Sequence, residues 1–334
     1  MRIGAAINVG TTVAKITGQI ERLRDAGFSA AWASQIFGHD ALTALAVAGA
    51  AVPGIDLGTA VVPIYPRHPQ VLAAQALTVQ SATANRLILG IGLSHQLVVE
   101  GCWGMSFDRP ARYMREYLSG LMPMLHGEAS AVEGEVLKAV TFGPLEIPEV
   151  TPPPVLVAAL APVMLKLAGT MADGTATWMT GTKTIATHIV PTIAGAAEAA
   201  GRPAPRIAVA LPVCLTSDPA TAATNIDTEF GIYPNLPSYR AMLDLEGANT
   251  ASDIGFIGSG EKIREQLGAL KAAGATDFAA TISGNAEERE ATFALLSDIG
   301  QERPRGSARQ RRVLELVDGG LIGHHVDEAL DERH

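Results

Sequence analysis

The residues of this chain best suited to chemistry gather in two short stretches. The first, LGTAVVPIYPRHP (57–69), is an apolar, β-branched run that ends in Pro63, Tyr65, Pro66, Arg67, His68 and Pro69. The second, RLILGIGLSH (86–95), ends in Gly92, Leu93, Ser94 and His95. A glycine at such a turn lets the backbone approach a ligand, and a serine hydroxyl can hydrogen-bond to it. An imidazole titrates near neutrality and can give or take a proton, so His95 is a candidate acid–base group; a hydrogen-bonded structural histidine is the competing reading. A second imidazole, His39, precedes Asp40 in SQIFGHD (34–40). Asp40 also reads as the N-cap of a helix starting at Ala41, which leaves His39 as the weaker of the two candidates.

Two further turns offer donors to an anion. Ala159, Leu160 and Ala161 lead into Pro162, and free backbone N–H groups at a helix start that opens with proline suit a phosphate. The run Trp178-Met179-Thr180-Gly181-Thr182-Lys183 adds hydroxyls, a glycine and a cation. Tyr65, Trp103, Trp178 and Phe107 could line a substrate pocket, and each could equally fill core. Cys102, Cys214 and the terminal His324-His325 pair match no metal-ligand spacing, so no metal is expected. There is no G-x-S-x-G elbow, and a pair of strand-end carboxylates for glycoside hydrolysis is not evident.

These residues need strands to present them. Strand-like runs at 2–7, 30–34, 56–61, 87–91, 155–159, 175–179, 206–215 and 277–283 alternate with helical stretches at 13–26, 41–52, 70–82, 110–125, 162–171, 185–200, 220–230 with 238–244, and 261–273. A last helix is expected at 287–299. Gly27, Gly201 and Gly274 punctuate helix ends. Eight βα units predict a closed (β/α)8 TIM barrel, in which ligands sit at the C-terminal ends of the strands. The competing open, doubly wound sheet would carry a glycine-rich phosphate loop after strand 1, and Asn8-Val9-Gly10-Thr11-Thr12 does not fit G-x-G-x-x-G. Two insertions interrupt the repeat. One is hairpin-like, at 127–154, with runs at 131–137 and 138–147; the other is a long loop with helical pieces at 216–259, of the kind that shapes a substrate mouth. The barrel domain is expected over 1–300, followed by a polar extension, 301–334, with five arginines in RPRGSARQRR (303–312).

The 334 residues carry 25 basic and 34 acidic side chains, for a net charge of −9. That balance argues against nucleic acid or an anionic membrane as partner. An apolar share of 48% against 18% charged residues supports a large core rather than disorder. Two cysteines make no disulfide framework, and the sequence shows neither a charged leader nor an apolar run of membrane-spanning length, so a cytoplasmic protein is expected.

The ends of strands 3 and 4, RHP before a helix and the G-I-G-x-S-H turn, resemble the luciferase-like monooxygenase superfamily, in particular its branch of oxidoreductases using the deazaflavin coenzyme F420. The resemblance spans roughly residues 2–299. It implies a (β/α)8 barrel of the bacterial luciferase type that passes a hydride between F420 and a small organic substrate. It also implies a cis or bulged Ala60–Val61 peptide behind the coenzyme ring. Gly92, Leu93 and Ser94 would lie beside that ring, and the phosphate tail near Ala159, Leu160, Ala161, Trp178, Thr180 and Gly181. His95 stands where some relatives have glutamate, Gln35 and Ile36 where others have an acid and a histidine, and Leu160-Ala161 where paired glycines are common. An FMN-dependent monooxygenase and a non-catalytic flavin- or deazaflavin-binding barrel are the alternatives. The expected partners are a small-molecule substrate and a second copy of the chain as a homodimer.

Overall fold

Short runs that are apolar on both faces form parallel strands here, and amphipathic helices cover them from outside. A computed structural model describes residues 1–35 and 37–302, so Ile36 and nearly all of the Arg-rich extension lie outside the described residues. The chain begins β1 (Arg2–Ile7), α1 (Val13–Asp25), β2 (Ala30–Ala33), α2 (Ala41–Ala51), β3 (Asp56–Thr59), β4 (Val62–Pro63), α3 (Pro69–Ala82) and β5 (Leu87–Gly92). It continues α4 (Gln96–Gly101), α5 (Pro110–Leu125), the hairpin β6 (Ala131–Glu133) and β7 (Lys138–Val140), β8 (Val155–Val157), α6 (Pro162–Met171) and β9 (Gly174–Trp178). Then come α7 (Thr182–Thr184), a π-turn (Ile185–Ile189), α8 (Val190–Ala199), β10 (Arg206–Leu215), α9 (Pro219–Glu229) and a 3-10 turn (Tyr233–Asn235). The last elements are α10 (Pro237–Glu246), α11 (Ala251–Ile254), β11 (Phe256–Gly258), α12 (Gly260–Ala272), β12 (Asp277–Ile282) and α13 (Ala286–Gln301).

The sheet closes. β1 pairs in parallel with both β2 and β12, and β10 with both β12 and β9. The ring β1-β2-β3-β5-β8-β9-β10-β12 therefore has eight strands and no free edge, which is the expected (β/α)8 barrel rather than the open sheet. Residues Met1–Gly300 form one compact unit.

Trp32 seals the barrel. It is 1% exposed and packs with Ala30, Ile88, Leu156, Ala208 and Ala279 inside the ring. A Cβ at Gly4 would lie 2.7 Å from its Nε1, and one at Gly58 2.2 Å from its Cε3. Glycines on the two flanking strands thus make room for the indole. At the opposite end from the strand exits, the buried Asp277 receives two bonds from Arg206, at 2.8 and 2.6 Å, tying β10 to β12.

Four features depart from the expected elements. Strand 3 is not continuous over 56–61 but stops at Thr59 and resumes at Val62. The hairpin strands are three residues each, because the carboxylate of Glu116 takes the N–H groups of Glu135, Val136 and Leu137 and makes a turn of the run expected to be strand. The 216–259 insertion contains a further parallel strand, β11, on the edge of β10 that β9 leaves free. Finally, α4 follows His95 directly. Among the described residues no helix is long and apolar enough to cross a membrane, and no cluster of three His, Cys, Asp or Glu side chains could hold a metal ion.

Candidate active site at the C-terminal mouth

The break in strand 3 is a bulge. Gly58 pairs with Ile88, and the next pair is Val62 with Ile91, so three residues, 59 to 61, face two, 89 and 90. The Ala60–Val61 peptide is cis. Ala60 N–H donates to Ala33 O at 2.8 Å, and Ser34 Oγ donates to Ala60 O at 2.6 Å, so β2 holds the bulge from one side. On the other side a Cβ at Gly90 would lie 1.9 Å from Thr59 O, and one at Gly92 2.7 Å from Val61 Cγ2 and 3.2 Å from Ala158 Cβ. The two glycines of L-G-I-G are thus required by the bulge itself.

Strand alternation points Ala6, Ser34, Ala60, Gly92 and Ala158 into the barrel one layer above Trp32. These lie on five adjacent strand exits, none is larger than serine, and Ala6 is exposed although it belongs to a barrel strand. The result is a small-residue shelf open towards the mouth.

His95 stands beside this shelf, after Ser94 in the left-handed conformation (φ 64°) and at the N-cap of α4. Its ring faces Tyr239 at 5.9 Å, and Tyr239 meets Tyr233 edge-on at 5.1 Å. Tyr233 in turn meets Trp178 at 5.7 Å, and Trp178 meets Phe230 at 5.3 Å. One aromatic wall therefore runs from the exit of β5 to the exit of β9, built largely from the 216–259 insertion. Burial lowers the His95 pKa below its ordinary 6.5, and its imidazole takes part in no hydrogen bond among the described residues. Both ring nitrogens are uncommitted among the described residues. Neither Tyr233 nor Tyr239 stands out in the sequence; the nearest signal is the turn-forming run Tyr233-Pro234-Asn235-Leu236-Pro237 within the 216–259 insertion.

His39 is placed elsewhere: exposed, with Nε2 against Thr11 O at 2.8 Å, on the side of β1 and β2. Asp40 caps α2 through Thr43 N–H at 2.8 Å and also pairs with Arg67. Arg67 is buried and binds Pro63 O at 3.1 Å and Gln35 Oε1 at 2.9 Å, so the arginine of RHP fastens the strand 3 exit to the loop after β2. His68 caps α3 through Nδ1, 3.2 Å from Gln70 N, and turns Nε2 to Lys138 O at 2.8 Å in the hairpin. Tyr65, expected as a pocket wall, is 4% exposed and stacks on Tyr113 at 4.3 Å and Phe107 at 5.6 Å. It backs the site instead of lining it. Trp103 packs half-buried against the core.

The two expected anion turns differ. At α6 the Ala161 cap makes no side-chain bond, Pro162 has no N–H to offer, and Ala161, Pro162 and Val163 are exposed, so the cap leaves the N–H groups of Val163 and Met164 without a side-chain acceptor. His188 holds the preceding turn through Leu160 O at 2.8 Å. The turn after β9 is occupied. Glu246 accepts Lys183 N–H at 3.0 Å and Thr184 N–H and Oγ–H at 2.7 Å each, and a Cβ on Gly181 would lie 2.3 Å from its Cδ. Thr180 is fully buried and donates to Trp178 O at 3.2 Å. In the turn where Thr180 and Gly181 are expected near a phosphate, an internal carboxylate therefore lies against Gly181.

A closed parallel barrel with a bulged strand 3 and its site at the strand exits defines the class. Residues 1–288 match the luciferase-like monooxygenase family, and the chain belongs to it. It is 26% identical over 341 residues to the 5,10-methylenetetrahydromethanopterin reductase of Methanolobus tindarius, covering 99% of this chain and 97% of that one. Among solved structures, the coenzyme F420 dependent tetrahydromethanopterin reductase of Methanopyrus kandleri superposes with a TM-score of 0.72 at 20% identity, over 89% of this chain and 97% of that one. The oxygenating constituent of 3,6-diketocamphane monooxygenase from Pseudomonas putida, in complex with FMN, gives 0.69 at 16% identity, over 89% and 96%.

Proposed function

We propose that this chain is an oxidoreductase that transfers a hydride between coenzyme F420 and a small organic substrate. The observation that carries this reading is the small-residue shelf on five strand exits, bounded by the Ala60–Val61 bulge and faced by the uncommitted His95 ring. A flat tricyclic ring would lie over Ala6, Ser34, Ala60 and Ala158, where larger side chains would take up the space above the shelf. The N–H groups at the start of α6 fit the phosphate, and the turn after β9 does not. When bound, F420 supplies the hydride acceptor or donor, with a carbon where a flavin has ring N5.

The chain's residues do the rest. The backbone of 60–62 would support the coenzyme ring, and the wall of Tyr239, Tyr233 and Trp178 would exclude water from the site. His95, whose burial disfavours the charged form, accepts the proton of a substrate hydroxyl as the carbon–hydrogen bond is lost. In the reverse direction the protonated ring returns it.

The test adds F420 and FMN separately to the full chain, following thermal shift and absorbance, then screens alcohols and carbonyl compounds with whichever binds. Binding and turnover with F420 alone support the reading. Turnover only with FMN and oxygen would replace it with the monooxygenase reading, and ligand binding without any turnover would favour a non-catalytic barrel.

A further inference from the structure

A carboxylate in the last turn of its own helix opposes that helix's dipole, so Glu246 at the end of α10 needs another reason for its place. The reason lies across the gap, at the N-terminal turn that follows β9. Its two oxygens take three donors there, at 3.0, 2.7 and 2.7 Å, and Lys183 Nζ donates to its backbone carbonyl at 3.4 Å. Gly181 is small where the carboxylate sits. Tyr239 is seven residues earlier on the same helix, two turns away and so on the same face, with Met242 and Leu243 buried between them. α10 is thus a bar about 10 Å long between the two, clasped at one end by Glu246 and carrying at the other the ring that faces His95.

We propose that Glu246 is a positioning residue: by filling an anion's place at the β9 exit it clamps the inserted segment so that Tyr239 stands against His95 and the aromatic wall closes. The part of this that concerns catalysis rests on the function proposed above; the clamp itself does not.

Two substitutions break the same clasp from opposite sides. Glu246→Ala removes the carboxylate, and Gly181→Ala pushes it out with a methyl group, at a residue whose φ of −74° suits alanine. The readouts are the ring-proton resonances of His95, which sense the Tyr239 ring, and kcat, KM and coenzyme Kd of the full chain. Both variants should shift the His95 resonances and lower kcat by about 10- to 100-fold, with coenzyme Kd changed by less than about threefold. The double variant should be no worse than either single one. Formate should restore Glu246→Ala, where the anion place is empty, and not Gly181→Ala, where it is filled. If Glu246→Ala does not fold, Glu246→Gln, which keeps the shape but loses one acceptor, carries the test with a smaller shift. His95 resonances unmoved in the folded variants, or additive losses in the double variant, would overturn the clamp. Resonances that move and return with formate, in a protein that turns over nothing with F420, would sustain the clamp and remove the F420 reading.

Discussion

Thr59 and Gly90 exchange two hydrogen bonds through a single hydroxyl: Thr59 Oγ donates to Gly90 O at 2.7 Å and accepts Gly90 N–H at 2.8 Å. Strand 3 forfeits its ladder to β5 where it bulges, and this side chain replaces the lost partners in a place without water.

Thr59→Val keeps the shape and leaves both Gly90 groups unpaired. The expected cost is about 2 kcal/mol or more, since each buried unsatisfied group costs about 1–3 kcal/mol. Thr59→Ser should recover most of it. Urea unfolding of the three proteins measures this, and a valine variant as stable as the wild type would contradict the role given to the hydroxyl.

His95→Ala is expected to lower kcat by about 10²-fold or more with coenzyme affinity nearly unchanged. His95→Gln, which bonds but does not titrate, separates chemistry from positioning. Because burial lowers the pKa, the acid limb of kcat/KM should have its midpoint below 6.5, with full rate above it. The limb should vanish in His95→Gln. The same shift means the folded state binds this proton less readily than the unfolded one. Its contribution to stability is present above pH 6.5 and is lost as pH falls through the folded pKa. A midpoint above 6.5 would show that another group titrates.

Tyr65 carries a buried hydroxyl with no hydrogen-bond partner among the described residues, and burial beside Tyr113 pushes its pKa up to about 12. Tyr65→Phe removes an unpaired polar group, so thermal stability should hold or rise, by up to about 1–2 kcal/mol. KM should stay unchanged, because Tyr65 backs the site. A raised KM at unchanged stability would return Tyr65 to the pocket.

Arg67→Lys should destabilise by about 1–3 kcal/mol despite keeping the charge. One ammonium cannot reproduce the fork that reaches Pro63 O, Gln35 and Asp40 together. Chemical denaturation decides it; a lysine variant of wild-type stability would mean the contacts are replaceable.

Much of the barrel was legible because each strand is a short apolar run closed by turn residues: 206–215 and 110–125 coincide with β10 and α5. Strand β11 was hidden because Phe256-Ile257-Gly258 is too short to show a period, and its pairing comes from β10. The π-turn left no local mark either, and the helix after β9 begins at Thr182 rather than 185. At the candidate site, the placing of Gly92 and His95 together at one strand exit could be read from one turn of chain. The Glu246 carboxylate at Gly181 could not, since the two are 65 positions apart and joined only by packing. Tyr239 facing His95 is the same kind of fact.

Trp32 has one more consequence. Among the described residues the indole stoppers the ring below the shelf, so the shelf is a cul-de-sac on that side and opens towards the mouth. Whichever reactant lies deeper must arrive first and depart last. On the proposed function, the larger, flat coenzyme would lie at the back against the shelf, and its smaller companion would come and go over it. Traffic through the protein would then be a queue, its order set by an indole buried below both visitors.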